Sequence, residues 1–225
     1  MSQSVLLAEA PIPDTGKLLR LYEHKDKFSM VIPGRGELMN SRVIGSEKAL
    51  AELACKQMGN SVRPRLLVGG LGMGFTHAAA LAASGPKAEV VVAELVPEVV
   101  DWNRNLIGEP AGHPLSDPRS RVFVGDVAEL LRAEPDGFNA ILLDVDNGPH
   151  ALIRRENNWL YGLEGLAAAS KALRKGGVLA VWSAGPDAQF TARLKRAVFR
   201  TELVIVRPHR AGKGPRHHIW LARPS

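Results

Sequence analysis

Two carboxylates separated by a single residue, Asp144 and Asp146, are the part of the sequence best suited to acid–base chemistry. They follow the apolar run Phe138–Leu143, which is typical of a buried parallel strand. Two like charges close together raise the pKa of one carboxyl group, and such a group can orient or deprotonate an amine nucleophile. We therefore predict Asp144 and Asp146 as catalytic residues. The alternative is an ordinary turn, since Asp, Asn, Gly and Pro are common turn formers.

The same segment continues through Asn147 to His150, and we predict that these two side chains contact the substrate. The alternative for both is a solvated position in the loop. Trp182 ends the later predicted strand Val178–Trp182, where it either packs in the core or borders the ligand.

A glycine-rich turn contains Gly70, Gly72 and Gly74 and lies between the predicted strand Arg65–Val68 and an Ala-rich helix. Glycines let the backbone turn sharply and approach a ligand, and the following helix offers free N–H groups. Glu94 ends the second predicted strand, 24 residues after Gly70, which is the spacing at which a carboxylate accepts both ribose hydroxyls of an adenosine. The pattern favours an S-adenosylmethionine-type ligand over a dinucleotide, and a nicotinamide dehydrogenase is the more distant alternative.

The third predicted strand ends at Gly125, directly before Asp126 and Val127. We predict that Asp126 accepts a hydrogen bond from the adenine amino group and that Val127 packs on the ring. Alternatively, Asp126 caps the next helix, and one side chain can do both.

Strands and helices alternate from Arg65 onwards, which predicts a doubly wound α/β fold with a mostly parallel sheet. A closing hairpin, residues 201–222, adds one antiparallel strand. Residues 1–60 are predicted to form a small β unit plus a helix with Ser46 as its N-cap, and residues 61–225 the Rossmann-like binding domain. Ligands of such sheets bind beyond the carboxyl ends of the strands, where strand order switches.

Composition sets the class of protein: 45% hydrophobic and 23% charged residues in a chain of 225 are ordinary for a globular domain. The single Cys55 and the absence of zinc-ligand spacing predict a reducing compartment and no metal, and the N-terminus lacks a secretory signal. We therefore expect a cytoplasmic protein without membrane contact. The net charge is +6, of which the segment from Arg207 to Ser225 contributes +5. This favours either an anionic partner at one place or simply a basic, solvated turn.

Five segments of the chain resemble the spermidine synthases and their spermidine-synthase-like relatives. They are LLVGGLGMG at 66–74, VVVAELVPEVVDWN at 90–103, DPRSRVFVGDVAELL at 117–131, FNAILLDVDNGP at 138–149 and LYGLEGLAAASKALRKGGVLAV at 160–181. The resemblance implies a fold of the AdoMet-methyltransferase type, with Glu94 at the ribose and Asp126 and Val127 at the adenine. It also implies that Asp144 stands in the family's catalytic-acid position.

Three departures separate the chain from that family. The family's GGGDG turn has an Asp that meets the amine of the aminopropyl donor, whereas GGLGMG has no acid. The family's D-S-S-D-P loop keeps its first acid here as Asp144, but the second falls at or beside Asn147. The Tyr and Gln expected at the start of the first helix are replaced near Gly45 and Ser46.

The sequence therefore predicts a transferase that uses S-adenosylmethionine or decarboxylated S-adenosylmethionine. Methyl transfer is favoured over aminopropyl transfer because the polyamine-binding acids are missing. The alternatives are an aminopropyltransferase and a non-catalytic relative that binds a nucleoside or a protein. The acceptor is expected to be a small molecule, anionic if the basic turn recruits it, and not a nucleic acid; a homodimer is left open.

Overall fold

The computed structural model describes residues 4–145, 149, 157–207 and 216–225. The predicted site residues Asp146, Asn147 and His150 lie outside these ranges, as do Arg210 and Lys213 of the basic turn.

An antiparallel sheet of four strands opens the described chain, with the strands in sequence order. It comprises β1 (Val5–Ile12), β2 (Lys17–His24), β3 (Lys27–Ile32) and β4 (Gly36–Asn40), and the helix α1 (Gly45–Gln57) follows. The predicted small β unit is thus confirmed, but β1 was not expected. In β1 only Ala10 and Ile12 are buried, so the apolar pattern is too weak to mark a strand.

The described residues form a central sheet of seven strands in the order β10-β11-β9-β8-β5-β6-β7. The strands are β5 (Arg65–Gly69), β6 (Glu89–Glu94), β7 (Ser120–Val124), β8 (Phe138–Leu143), β9 (Leu173–Ser183), β10 (Phe199–Val206) and β11 (His217–Pro224). Five adjacent strands, β9 to β7, pair in parallel, and β11 is antiparallel to both of its neighbours. This confirms the predicted fold class and its closing hairpin.

Helices cover both faces of this sheet. They are α2 (Phe75–Ala83), α3 (Pro97–Asn105), α4 (Val127–Ala133), α5 (Asn157–Leu160), α6 (Leu163–Ala172) and α7 (Ala188–Arg196). Alternate residues of β5 point into two apolar cores on opposite faces of the sheet. Leu66 and Val68 pack with α1, α2 and α3, whereas Leu67 packs with α4, α6 and α7. In the described part of the chain, no helix combines the length and apolarity needed to cross a membrane.

The small sheet packs on the first of these cores. Its buried residues Leu19, Leu21, Met30 and Ile32 belong to the same apolar cluster as Leu66 of the central sheet. The division of the chain at residue 60 into two domains stays a prediction, and apolar packing runs across it without interruption.

Candidate ligand site at the carboxyl edge of the sheet

The candidate site lies where strand order switches, at the carboxyl ends of β5, β6, β7 and β8. Backbone bonds tie these ends together: Gly70 N–H donates to Ala93 O at 2.9 Å, and Asp144 N–H donates to Gly69 O at 2.9 Å. A cavity of about 170 Å³ opens there. Of the predicted residues that the structure describes, it is lined by Gly70, Gly72, Glu94, Asp126, Val127 and Asp144. Gly74 is not in the lining and instead precedes α2 as its N-cap.

The glycine turn is built so tightly that side chains are excluded. Gly70 has φ +89°, and a Cβ there would lie 2.5 Å from the carbonyl oxygen of Asp144. Gly72 has φ +51°, and its Cβ would lie 2.7 Å from the Met39 Cε of β4. From α3, the Asn103 Nδ2 donates to Gly72 O at 2.7 Å, which fixes the turn from a third element.

Glu94 is buried at the end of β6 and its carboxylate is held by the backbone. Oε2 accepts from Leu71 N–H and Oε1 accepts from Val96 N–H, both at 2.9 Å. Burial raises the pKa of Glu94, while these backbone donors oppose the shift. Glu94 also lines the cavity, so its carboxylate can contact a ligand that binds there.

Asp126 caps the helix α4, as the alternative interpretation predicted. Its Oδ1 accepts from Ala128 N–H at 2.9 Å, and Glu129 reaches back to the Asp126 N–H at 3.4 Å in a capping box. Asp126 also lines the cavity beside the buried Val127, which forms an apolar wall. The cap therefore fixes the position of this part of the lining.

A second acid meets Asp144 in the cavity, and it is Glu47 of α1. Thr76 Oγ1 donates to Asp144 Oδ2 at 2.5 Å. The pKa of Asp144 is raised to about 7, first by burial and then by the negative charge of Glu47. The pKa of Glu47 is also raised, mainly by burial. Glu47 thus opposes the ionisation of Asp144, in a cavity where both carboxyl groups are partly removed from water.

Glu47 is held by a short chain of hydrogen bonds from the last strand. Ser46 Oγ donates to Glu47 Oε2 at 2.6 Å, and the His217 Nδ1 lies 2.8 Å from Ser46 Oγ. The His217 ring packs edge-to-face on Trp182, with centroids 4.9 Å apart. Burial, followed by the charge of His218, lowers the pKa of His217. The prediction of Ser46 as N-cap is wrong: α1 begins at Gly45, and the hydroxyl makes no capping bond.

The rest of the described lining is mostly apolar, and the small sheet supplies much of it. Six side chains come from β1 to β4: Ile12, Leu19, Met30, Ile32, Leu38 and Met39. Trp182 borders the cavity from the end of β9. Among the described residues that line the cavity there are four acids, Glu47, Glu94, Asp126 and Asp144, and no Lys, Arg or His. The described lining is acidic although the chain is basic.

Three contributors to this site were not predicted: Glu47, Thr76 and Asn103. Thr76 and Asn103 lie on helices that follow predicted strands, so the strand-end pattern alone does not select them. The signal that could have indicated Glu47 is its position next to Gly45 and Ser46 at the start of α1, where the sequence departs from the family pattern.

Comparison with known proteins gives a consistent fold and a distant sequence relationship. No protein-family model matches the chain. The polyamine aminopropyltransferase of Mycobacterium tuberculosis is 26% identical over 182 residues, covering 76% of this chain and 34% of that protein. The polyamine aminopropyltransferase of Korarchaeum cryptofilum is 27% identical over 100 residues, covering 44% and 30%. The chain thus spans about a third of the length of the curated relatives it matches.

Solved structures of spermidine synthases superpose on most of the chain. Spermidine synthase from Thermotoga maritima gives a TM-score of 0.75 at 18% identity, over 98% of this chain and 73% of that one. A spermidine synthase in complex with the transition-state analogue AdoDATO also gives 0.75, at 17% identity over 98% and 72%. The described residues therefore have the fold of the spermidine synthases, as the sequence resemblance implied.

Proposed function

We propose that the protein is an aminopropyltransferase that takes the aminopropyl group from decarboxylated S-adenosylmethionine and gives it to a small amine. The observation that carries this proposal is the charge of the cavity, whose described lining holds four acids and no base. Both substrates of such a transfer are cationic, and buried carboxylates are stabilised by cationic partners. The relatives named as polyamine aminopropyltransferases support the same reaction.

The residues have distinct roles in this proposal. Glu94 accepts the two ribose hydroxyls, Asp126 and Val127 contact the adenine, and Gly70 and Gly72 let the donor approach the backbone. An ammonium acceptor first loses a proton to Asp144. The amine nitrogen then attacks the aminopropyl carbon that is bonded to sulfur. The bond between that carbon and sulfur breaks with its electrons on sulfur, and methylthioadenosine leaves. A carboxyl pKa of about 7 suits a base that works near neutral pH.

The sequence alone favours methyl transfer because acids are missing from the positions that hold them in the family's motifs. Glu47 supplies one such acid from an element that the sequence pattern did not connect with the site. S-adenosylmethionine also carries a carboxylate, for which the described lining offers no cation. We therefore place aminopropyl transfer first, with a cationic acceptor in place of an anionic one. A cytoplasmic location and a homodimer stay predictions from the sequence.

Calorimetric titration with decarboxylated S-adenosylmethionine, S-adenosylmethionine and methylthioadenosine tests the donor site. We expect the decarboxylated donor and methylthioadenosine to bind, and S-adenosylmethionine to bind more weakly. Glu94→Gln should weaken both favoured ligands at least about tenfold, because hydrogen bonds to a charged group contribute about 1.5–3 kcal/mol. Glu89→Gln, at the opposite end of the same strand β6, is the matched control and should leave the affinities for both ligands unchanged.

Mass spectrometry of the reaction products separates the alternatives. Transfer to a diamine adds an aminopropyl group and releases methylthioadenosine. A methylated acceptor formed from S-adenosylmethionine would replace the proposal with methyl transfer. Failure of all three nucleosides to bind would leave a non-catalytic relative of the same fold.

A further inference from the structure

We infer that Glu47 is the second carboxylate of the acceptor site, which receives an ammonium group together with Asp144, and that Ser46 and His217 are positioning residues that hold Glu47 in place. This assignment rests on the proposed function, because it names the residues that would receive the acceptor amine. Glu47 lies on a helix that precedes the central sheet, so neither the glycine turn nor the strand-end loop contains it.

The first step concerns the charge between Glu47 and Asp144. Both carboxyl groups line one cavity, and each is disfavoured in its ionised form by burial. The described lining of that cavity contains no Lys, Arg or His side chain. An ammonium group has three donors and one positive charge, so it can bridge both carboxylates and offset their mutual repulsion. The pair therefore selects a primary amine over an alcohol or an anion.

The second step concerns how Glu47 is held. Ser46 is fully buried, and its hydroxyl donates to Glu47 Oε2 at 2.6 Å. Since the hydroxyl proton is used in that bond, the His217 Nδ1 must donate to the Ser46 oxygen across 2.8 Å. This requires a proton on Nδ1, and the lowered pKa of His217 favours the neutral ring that carries it there. The edge-to-face contact with Trp182 fixes the ring plane. The last strand of the sheet thus orients a carboxylate on the first helix.

The test is calorimetric titration of the full-length protein with 1,4-diaminobutane, with and without saturating methylthioadenosine. Glu47→Gln should weaken the diamine about 10- to 100-fold, as loss of a charge-assisted bond does. The affinity for methylthioadenosine should stay within about twofold. Glu52→Gln is the matched control, because Glu52 lies on the same helix α1 with its side chain 57% exposed. It should bind the diamine like the wild type.

Proton release gives a readout that a purely structural role would not change. An ammonium group between two carboxyl groups favours their ionised forms, so diamine binding near pH 7 should release protons. Titrations in two buffers with different ionisation enthalpies count these protons. Glu47→Gln should lower the number released, whereas Glu52→Gln should keep it.

The positioning role of His217 is tested by replacing it with each of the two residues that have an amide side chain. Asn places its amide nitrogen near the position of Nδ1, whereas Gln places it near Nε2, and both remove the ring from Trp182. We expect His217→Asn to keep more of the diamine affinity than His217→Gln, and Ser46→Ala to weaken the diamine several-fold. Thermal unfolding of each variant verifies that the protein remains folded.

Two results would overturn the assignment of Glu47: a diamine affinity that Glu47→Gln leaves unchanged, or no diamine binding by a wild type that binds methylthioadenosine. Equal diamine affinities for His217→Asn and His217→Gln would remove the positioning role of His217 alone. If no nucleoside binds, the proposed function fails. The nucleoside-free diamine titration then still decides whether Glu47 holds an ammonium group.

Discussion

At the scale of single residues, the site consists of carboxyl groups that are partly removed from water, and Glu94 is buried. Burial raises the pKa of Glu47, Glu94 and Asp144, so their ionised forms weaken the fold at neutral pH. Short bonds from Ser46, Thr76 and backbone N–H groups offset part of this cost. The same environment brings Asp144 into the range where it can exchange protons with an amine.

Asp144→Asn should make the protein more stable and less active. The unfolded chain ionises Asp144 near pH 4, whereas the folded chain holds the proton until about pH 7. The free energy of unfolding of the wild type, relative to that of the variant, should therefore fall as the pH rises from about 4 to 7. Above pH 7 the difference should stay constant. Urea unfolding of both proteins at pH 4, 6 and 8 measures this. Activity should fall about 10²- to 10⁴-fold, the usual contribution of a general base.

The control for that prediction is Asp101→Asn, an exposed Asp on α3 whose side chain is 67% accessible. The free energy of unfolding of Asp101→Asn should equal that of the wild type at every pH. If the free energy of unfolding of Asp144→Asn also equals that of the wild type at every pH, then Asp144 titrates as an ordinary exposed carboxyl group and is not the base described above.

At the scale of elements, the glycine turn after β5 lies tightly packed between the end of β8 and the strand β4. Gly70 faces the backbone at the end of β8, and Gly72 faces the Met39 side chain of β4. A backbone oxygen cannot move without displacing Asp144, whereas the end of a Met side chain can adopt another rotamer. The two glycines should therefore respond differently to substitution.

Gly72→Ala should weaken methylthioadenosine binding, and the double variant Gly72→Ala/Met39→Ala should recover part of it. A left-handed φ costs roughly 1–2 kcal/mol for Ala, which the second substitution does not remove. Gly70→Ala should lose binding whether or not Met39 is changed, because its Cβ meets the carbonyl of Asp144. Calorimetry on the four variants measures this. Recovery of Gly70→Ala by Met39→Ala would show that the small sheet, not β8, limits the turn.

At the scale of the whole molecule, the sequence predicted the doubly wound sheet because β5, β6 and β8 are mostly apolar runs that end at, or directly before, a glycine or an acid. It did not predict β1, where only two side chains are buried. It also placed the start of β9 at Val178, whereas the strand begins at Leu173 and passes through Gly176 and Gly177. Glycines interrupt the apolar pattern there without ending the backbone pairing.

The candidate site was predictable only where it follows the strands. Glu94, Asp126 and Asp144 come directly after or at the ends of strands, so the rule for doubly wound sheets brought them together. Glu47 and the apolar wall from β1 to β4 reach the site only through packing of the small sheet and α1 on the first core. Such long-range contacts leave no local pattern in one sequence.

The acidic cavity inside a chain of net charge +6 has a consequence for the kinetics of encounter. A polycation that approaches from far away is repelled by the whole molecule, and it is attracted only once it reaches the cavity. Since salt screens charges beyond a Debye length of about 10 Å at 0.1 M, raising the salt from about 10 to 150 mM should speed association of a diamine. Stopped-flow measurements of the association rate would detect this. A rate that falls with salt would mean that the cavity's own field already guides the diamine at long range.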